Sequence, residues 1–281
     1  MRAYDQSSGP ALLISAFCVV VAGVAAPDVR AQQAAGVRPS QWLDVTGDPL
    51  PFQNDEAIRE ALSLATLVNR ERESRPGLEG YEMLTLEHED TRFYALFRRG
   101  EEAARLELAA YEIDRLLGLD LVPPVVARSI DDIAGALQIW RQRAGTEVEI
   151  AQAGELIPPD PGGFALQKQS MYLFDNLIAN PGRSQENIVI DPGWKIWLID
   201  HAGAFQPTTD LLYELKLTKC DRAVWQRLRE LRKDTLQELM GPYLDKKQIS
   251  RLVARHRQLV RYIQRMITTF GEGVVLFDRA G

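Results

Sequence analysis

The chain has 281 residues, of which 46% are hydrophobic and 26% are charged, and it carries a formal net charge of −6 at pH 7. This composition is typical of a folded globular protein and excludes a disordered chain. The negative charge argues against a protein that binds nucleic acid.

The first 31 residues have the pattern of a secretory signal peptide. The apolar run Ala11–Ala26 is followed by Val29-Arg30-Ala31, which places small residues at the −3 and −1 positions of a cleavage site. An uncleaved anchor is the alternative, but the run is shorter than the roughly 20 apolar residues of a membrane span. We therefore predict an exported protein, periplasmic or extracellular, with no stable span after cleavage. Residues 32–42 are predicted to form a linker, and Cys220 a buried structural thiol.

The first half of the remaining chain predicts helices and strands in mixed order, which indicates an α+β fold. Apolar residues recur at helical spacing in some segments and alternate in others. The predicted helices are Asp55–Glu71 and Glu101–Leu117, and the predicted strands are Tyr81–Leu86, Arg92–Arg99 and Val125–Ile130. The Pro- and Gly-rich stretch 151–165 is predicted to be an exposed loop between two lobes.

Two charged residues of this half are candidates for a binding site. Arg98 lies on the opposite face of its predicted strand from Phe97, and Glu107 lies at the border of the buried stripe of the next helix. A strand cation that faces a cleft would suit phosphate binding. An edge-strand Arg in water and an ordinary helix Glu are the alternatives.

The segment Phe174–Phe205 predicts a helix, a loop and a hairpin. Helical periodicity stops at Asn180-Pro181-Gly182, because Pro and Gly do not continue a helix. The runs Asn187–Ile190 and Lys195–Ile199 then predict two short strands. Two further helices are predicted beyond this segment, over Asp221–Met240 and Lys246–Phe270.

The hairpin places two oxygen-bearing side chains near one end. If Ile190 pairs with Lys195, Asn187 lies opposite Leu198, and Asp200 follows just past the same end. Such a pair could bind a hard cation such as Mg²⁺, which takes few protein carboxylates and completes its shell with phosphates and water. Ordinary turn and capping roles are the alternative.

These residues resemble the signature of the atypical kinase superfamily, which includes lipid 3-/4-kinases, HipA-type kinases and secretory-pathway kinases. Asn180-Pro-Gly-Arg183-Ser-Gln-Glu-Asn187, followed by Leu198-Ile-Asp200-His201, is similar to the pattern NxDRxxxN…hDh. The segment LELAAYEIDRLLGLDLVPPVVAR and the run Gly135-Ala-Leu-Gln138-Ile-Trp140 are similar to further segments of bacterial relatives. The resemblance covers the chain from Tyr81 to Asp278.

The resemblance implies a two-lobed kinase-like fold. Its small β-rich N-lobe would span 43–150 and its mainly helical C-lobe 166–281. ATP would bind between the lobes, with Mg²⁺ or Mn²⁺ held by Asn187 and Asp200. The nucleotide-binding residues would be Arg98, Glu107 and Gln138, and Glu107 would pair with the strand cation that holds the phosphates.

The chain departs from the family pattern at two positions. Gly182, next to Arg183, stands where the family has the Asp that orients the attacking hydroxyl or accepts its proton. Arg98 stands where the family has Lys, and Arg is larger, planar and always charged. Phosphate binding could therefore survive while the catalytic carboxylate is lost.

Three hypotheses follow. The first is a pseudokinase that binds nucleotide and metal. The second is an active but divergent kinase or nucleotidyltransferase, in which Asp175, Glu186 or His201 replaces the missing base. Of these, Asp175 is expected to face back along its helix about two turns away, which leaves Glu186 and His201 within reach. The third is a structural exported protein without a ligand. The sequence does not select among protein, lipid and sugar acceptors.

Overall fold

The computed structural model describes residues 41–279. The predicted signal peptide and most of the predicted linker lie outside the described residues. Trp42, at the end of that linker, is buried and packs against Trp197 with ring centroids 5.1 Å apart. Across the described part of the chain, no helix is both long and apolar enough to cross a membrane.

The first half forms an antiparallel sheet with a helix on each face. The elements in chain order are α1 Asp55–Leu64, β1 Thr66–Arg72, β2 Tyr81–His88, β3 Thr91–Arg99, α2 Glu101–Leu117, β4 Val125–Ile130 and β5 Ile133–Ile139. The strand order is β1-β2-β3-β5-β4, and all neighbours are antiparallel. Helix α1 shares a core with alternate sheet residues such as Phe93 and Leu137, whereas α2 packs with Val125 and Ala136 from the other face.

The predicted helix Asp55–Glu71 is wrong in its second half. Helix α1 begins after Asn54, whose side chain caps it by accepting from the Ala57 amide, and it ends at Leu64. The next residues extend and pair with β2, with Arg70 opposite Leu84. Backbone pairing along the edge of the sheet therefore overrides the prediction of about two further helical turns.

The second half is mainly helical. Its elements are β6 Gly145–Thr146, α3 Glu147–Gln152, α4 Pro161–Ile178, β7 Ile188–Ile190, β8 Ile196–Leu198, a 3-10 turn Glu214–Lys216, β9 Cys220–Asp221, α5 Arg222–Glu230, α6 Lys233–Met240, α7 Lys246–Phe270, α8 Glu272–Val275 and β10 Leu276–Phe277. The expected thiol burial is confirmed, because Cys220 lies in the core and burial raises the pKa of its thiol.

Two predictions for this half need correction. The stretch 151–165 is helical at both ends, because α3 runs to Gln152 and Pro161 opens α4 at a position that needs no amide donor. The helix predicted over Asp221–Met240 is two helices. Leu231 and Arg232 between them have extended backbone, so the chain changes direction there.

The β7–β8 hairpin lies between two hydrophobic cores. All six of its strand residues are buried. Ile188, Ile190, Ile196 and Leu198 pack into the core that the helices of the second half share with α2. Val189 and Trp197, on the alternate face, pack into the core of the sheet half, together with Ile199. The period-two alternation of a strand thus lets one short hairpin join both halves of the protein.

The hairpin register also differs from the prediction by one residue. Ile190 pairs with Ile196, because Asp191 and Lys195 close the connecting loop, where the Asp191 amide donates to the Lys195 carbonyl at 3.1 Å. Asn187 consequently pairs with Ile199, whose amide donates to its carbonyl at 3.2 Å. Asp200 therefore follows directly after the partner of Asn187.

Asp114 on α2 predicts a pH-dependent stability. It is fully buried, and burial raises the pKa of its carboxyl to about 7, although the Leu121 amide donates to it at 3.0 Å. An unfolded Asp has a pKa of about 3.9, so the folded protein binds more protons between these two values. The contribution of this carboxyl to the free energy of unfolding therefore decreases as pH rises from about 4 to 7.

We expect Asp114→Asn to remove that part of the pH dependence. Relative to the native protein, the variant should gain stability steadily from pH 5 to pH 7, which urea unfolding at each pH measures. Asp132→Asn, in the exposed β4–β5 turn, controls for the loss of a carboxylate. Parallel curves for native protein and Asp114→Asn would contradict the prediction.

Candidate functional site

Arg183 is a buried cation that ties together the loop after α4. Its Nε and Nη2 donate to the Asp175 carboxylate at 2.9 and 3.1 Å. Its Nη1 donates to the Asn187 carbonyl at 2.9 Å and to the Ile199 carbonyl at 3.0 Å. The side chains of Arg183 and Asp175 are 2% and 0% exposed. Ala179 ends α4 in a left-handed conformation, which turns the chain back, so Asp175 contacts this loop rather than facing away.

Gly182 lies on the exposed part of the same loop, and its backbone is held on both sides. Its amide donates to Asn180 Oδ1 at 3.2 Å, and its carbonyl accepts from Asn187 Nδ2 at 2.8 Å. A Cβ placed on Gly182 would have its nearest neighbour, Asn180 Oδ1, at an ordinary 3.5 Å. The position therefore has room for a Cβ.

Glu107 holds His201, whereas the resemblance implied a pair with Arg98. Its two carboxylate oxygens accept from the His201 amide at 2.7 Å and face His201 Nδ1 at 2.9 Å. His201 Nε2 lies 3.2 Å from Arg183 Nη2. Because an Arg nitrogen only donates, we infer that Nε2 accepts and that Nδ1 carries the proton. His201 is fully buried, so both ring nitrogens are used inside the protein.

Arg98 faces Asp200 at the junction of the two halves. Arg98 Nη1 lies 3.5 Å from Asp200 Oδ1, and about a quarter to a third of each side chain is exposed. The guanidinium also lies over the Tyr81 ring, 4.8 Å from its centroid. Asp200 has a φ of 59°, in the left-handed region, which turns the chain sharply after the hairpin. An accessible cation and an accessible carboxylate thus lie together beside the buried network.

Tyr81 is a site residue that the sequence interpretation missed. It lies opposite Arg98 in the β2–β3 ladder, so its side chain shares a sheet face with that cation. Burial raises the pKa of its phenol well above the usual value, and the nearby Glu107 and Asp200 carboxylates raise it further, while Arg98 acts in the other direction. The ring is therefore a neutral support for Arg98. Strand alternation between two predicted strands could have identified it.

Gln138 is buried in the sheet beside this group. It pairs with Leu96 across β3 and β5, and its Nε2 donates to the Pro123 carbonyl at 3.1 Å. The amide nitrogen is therefore used within the protein, and Gln138 holds the segment that enters β4. The structure brings the other predicted residues into one continuous group: Arg98, Glu107, Gly182, Arg183, Asn187, Asp200 and His201.

Asp200 suits a metal ion that arrives with phosphate, whereas Asn187 is already hydrogen-bonded. Asn187 Oδ1 accepts from Arg183 Nη1 at 3.0 Å and from the Ser184 amide at 3.1 Å, which uses both lone pairs. Among residues 41–279, no group of three His, Cys, Asp or Glu side chains could hold a metal. Magnesium commonly takes one or two carboxylates together with phosphates and water. The described residues therefore form no preformed cage for a free ion, and Asp200 offers one accessible carboxylate that could join a metal bound by phosphates.

The β1–β2 loop lies against the loop that carries Gly182. Gly77 approaches so closely that a Cβ there would overlap the carbonyl oxygen and Cβ of Glu186. Leu78 beside it is fully buried, and the Arg75 guanidinium lies 5.0 Å from the Trp140 ring centroid. The sheet half therefore contacts the helical half at this loop as well as at Arg98.

Two solved structures have a similar fold. Hydra Fam20, a secretory-pathway kinase whose structure was determined with sugar, aligns with a TM-score of 0.60 and 16% identity, over 79% of this chain and 91% of its own. The Helicobacter pylori proinflammatory kinase CtkA aligns with a TM-score of 0.50 and 10% identity, over 74% of this chain and 98% of its own. No family model matches the sequence. No curated protein matches it either.

At these identities the likeness shows the fold. The protein has an atypical kinase-like fold, with a β-sheet N-terminal part and a helical C-terminal part. The predicted α+β kinase-like fold class is confirmed.

The close approach of Gly77 to Glu186 predicts a large effect of one methyl group. Gly77 has a φ of 83° and no space for a Cβ, so Gly77→Ala must both strain the backbone and displace the loop. We expect Gly77→Ala to lower the free energy of unfolding by at least about 1 kcal/mol more than Gly154→Ala lowers it.

Gly154 is a matched control because its φ of 74° imposes a similar backbone strain on Ala. A Cβ added there would meet nothing within 4 Å. Denaturant unfolding of both variants measures the difference. Equal destabilisation would show that the β1–β2 loop does not depend on contact with Glu186.

Proposed function

We propose that this protein is a pseudokinase that binds ATP with Mg²⁺ or Mn²⁺ between its sheet and helical halves and transfers phosphate weakly or not at all. The observation that carries the proposal is the environment of Gly182. The loop around it keeps a full set of hydrogen bonds, through Asn180, Asn187 and Arg183, while the carboxylate is missing at its exposed position.

Arg98 and Asp200 support nucleotide binding. They are partly exposed charges of opposite sign, they come from different halves of the protein, and they lie 3.5 Å apart. Triphosphate oxygens would bind the Arg98 guanidinium, and a metal bound to those oxygens would be held by Asp200. Such a metal would neutralise phosphate charge. Glu107 has a positioning role, because it fixes the backbone of His201 directly after Asp200.

The proposed loss of phosphate transfer is supported by the environment of two side chains that could replace the missing general base. Asp175 is bound by Arg183 and Asn180, and His201 is bound by Glu107 and Arg183, all within the buried network. Neither can accept a proton from an acceptor hydroxyl without breaking that network. In phosphoryl transfer a carboxylate near the attacking hydroxyl is one of the few groups that the protein supplies.

An active, divergent kinase or nucleotidyltransferase is the second candidate. Glu186 favours it, because this residue is exposed on the same loop as Gly182 and its carboxylate is outside the buried network. The ligand-free structural protein is the third candidate, and the accessible Arg98–Asp200 pair argues against it. Export to the periplasm or the cell exterior stays part of the proposal, on the N-terminal sequence pattern alone.

Nucleotide binding predicts a metal-dependent thermal shift. At about 100 times its dissociation constant, ATP should stabilise the purified protein by about 2.7 kcal/mol. We expect Mg²⁺ or Mn²⁺ alone to have little effect, and Asp200→Ala to lose the metal-dependent part of the shift. Asp278→Ala, which removes an exposed carboxylate paired with Arg222, is the control. Absence of a shift with every nucleotide and metal would reject the proposal in favour of a structural protein.

Restoring the missing carboxylate should restore transfer. A Cβ at Gly182 would meet Asn180 Oδ1 at an ordinary contact distance of 3.5 Å, so we expect Gly182→Asp to fold, and general-base catalysis is worth about 10²–10⁴ in rate. We expect this variant to transfer labelled phosphate from ATP, to water or to an added acceptor, well above the native level. Gly182→Asn is the matched control, with the same size but no carboxylate.

Efficient transfer by the native protein, lost in Glu186→Gln, would instead establish the second candidate. Equal, low rates for Gly182→Asp and Gly182→Asn, with ATP bound in both, would show that the missing carboxylate is not the limiting defect.

A further inference from the structure

Helix α7 concentrates positive charge on its exposed side. Its 25 residues include seven Lys and Arg residues and no Asp or Glu, although the whole chain has a net charge of −6. Arg255 is buried, and the other six cations are exposed or half-buried. We call these six residues the cationic face: Lys246, Lys247, Arg251, Arg257, Arg261 and Arg265.

The shape of the cationic face follows from the packing of the helix. The opposite side of α7 lies in the core, and the buried Arg255 Nε donates to the Leu177 carbonyl of α4 at 2.8 Å. From Lys247 to Arg265 the remaining cations extend over about 27 Å along the solvent side of the helix. The cationic face is therefore a long, convex surface that points away from the core.

The charge in the middle of the cationic face is not neutralised by the protein. Asp245, which caps the helix, interacts electrostatically with cations of the first turns, and Arg265 lies 3.7 Å from Glu214 at the other end. Arg257 and Arg261 form no ion pair within the described part of the chain. Like charges four residues apart repel each other on a helix. An anionic partner would relieve this repulsion.

Large apolar side chains are exposed beside the C-terminal end of the cationic face. We call them the apolar edge, and they are Leu215 (94% exposed), Phe270 (63%) and Val274 (58%). Their segments adjoin, because the Tyr262 hydroxyl donates to the Glu214 carbonyl at 2.8 Å and the Lys219 ammonium donates to the Val274 carbonyl at 2.8 Å. Apolar side chains that are exposed together, rather than singly, mark an interaction surface.

The two features together favour a lipid bilayer as the partner. A peptide helix usually binds in a groove, whereas the exposed side of α7 is convex and suits a flat surface. Anionic headgroups attract clusters of Lys and Arg on a helix, and neighbouring apolar side chains enter the boundary between headgroups and acyl chains. A nucleic acid would use the charges alone and leave the apolar edge in water.

We propose that the cationic face and the apolar edge dock this protein on an anionic lipid bilayer, with α7 parallel to the surface. The guanidinium groups of Arg257 and Arg261 would bind headgroup phosphates, and Phe270 would insert beside them. The bilayer is a docking surface here, and its lipids are not phosphate acceptors. Docking needs no nucleotide, so the proposal is independent of the proposed function.

Cosedimentation of the purified protein with vesicles tests the role of charge. We expect binding to vesicles that contain phosphatidylglycerol, little binding to pure phosphatidylcholine vesicles, and release as salt is raised. The double variant Arg257→Gln/Arg261→Gln should lower the partition coefficient by at least about tenfold, since each cation near an anionic surface contributes to binding. Arg72→Gln/Arg92→Gln, which removes two exposed cations of the sheet half, is the matched control.

Fluorescence and a polar substitution test insertion of the apolar edge. With phosphatidylglycerol vesicles, the emission of Phe270→Trp should shift to shorter wavelength more than that of the native protein. Phe270→Ser should weaken vesicle binding although no charge changes. Leu64→Ser is the matched control, because Leu64 on α1 is also 63% exposed. Unchanged thermal melting of each variant without vesicles would exclude misfolding as the cause.

Several results would overturn the proposal. The first is a failure to bind phosphatidylglycerol vesicles. Binding that is unchanged in Arg257→Gln/Arg261→Gln would assign it to another segment, such as the apolar run Ala11–Ala26. Equal losses in the two double variants would reduce the effect to general charge attraction.

Two further comparisons decide the kind of partner and the orientation. Tighter binding to hexaglutamate or to an RNA homopolymer than to vesicles would replace the bilayer by an acidic macromolecule. Equal effects of Phe270→Ser and Leu64→Ser would overturn the insertion of the apolar edge and the proposed orientation of α7.

Discussion

The structure depends on one buried cation. Arg183 uses three nitrogens to hold Asp175 at the end of α4, the backbone of Asn187 and Ile199 at the end of the hairpin, and His201 after it. A buried guanidinium is stable only when its donors are satisfied, because the charge would otherwise lack both water and a partner. Because every Arg183 donor needs an acceptor, the hydrogen bonds of Arg183 fix the geometry of the loop around Gly182. They also explain how the loop keeps its shape around a glycine at position 182.

The charged residues of the site separate into two layers. Asp175, Arg183, His201 and Glu107 form an inner chain of hydrogen bonds that is almost inaccessible to water. Arg98 and Asp200 form an outer pair that is partly exposed, with Tyr81 as its support. The inner layer serves the architecture, and the outer layer is the part that can exchange its partner for a ligand. An arginine at position 98 suits this arrangement, because a planar guanidinium can lie on the Tyr81 ring while it faces a carboxylate.

Sequence patterns predicted the secondary-structure elements of the site better than they predicted the contacts between its residues. The loop, the hairpin and the strand with Arg98 were all predicted, because Pro and Gly, short apolar runs and period-two alternation are local signals. The pairing partners were not local. Glu107 binds His201, 94 residues away, and Asp175 meets Arg183 only because Ala179 turns the chain back.

The one-residue change of register came from a loop closed by Asp191 and Lys195, and the second half of the first predicted helix became an edge strand through pairing with β2. Each of these differences from the prediction depends on tertiary contacts, which the hydrophobic periodicity of a segment does not encode.

The hairpin between the two cores has a consequence for motion. In a two-domain protein with a small polar interface, one domain can rotate on the other while both cores stay intact. Here β7 and β8 contribute alternate side chains to both cores, so a wide separation of the halves would expose Val189 and Trp197 to water. Slow hydrogen exchange of the hairpin amides would then report the opening of both halves at once, and the two halves would behave as a single cooperative unit.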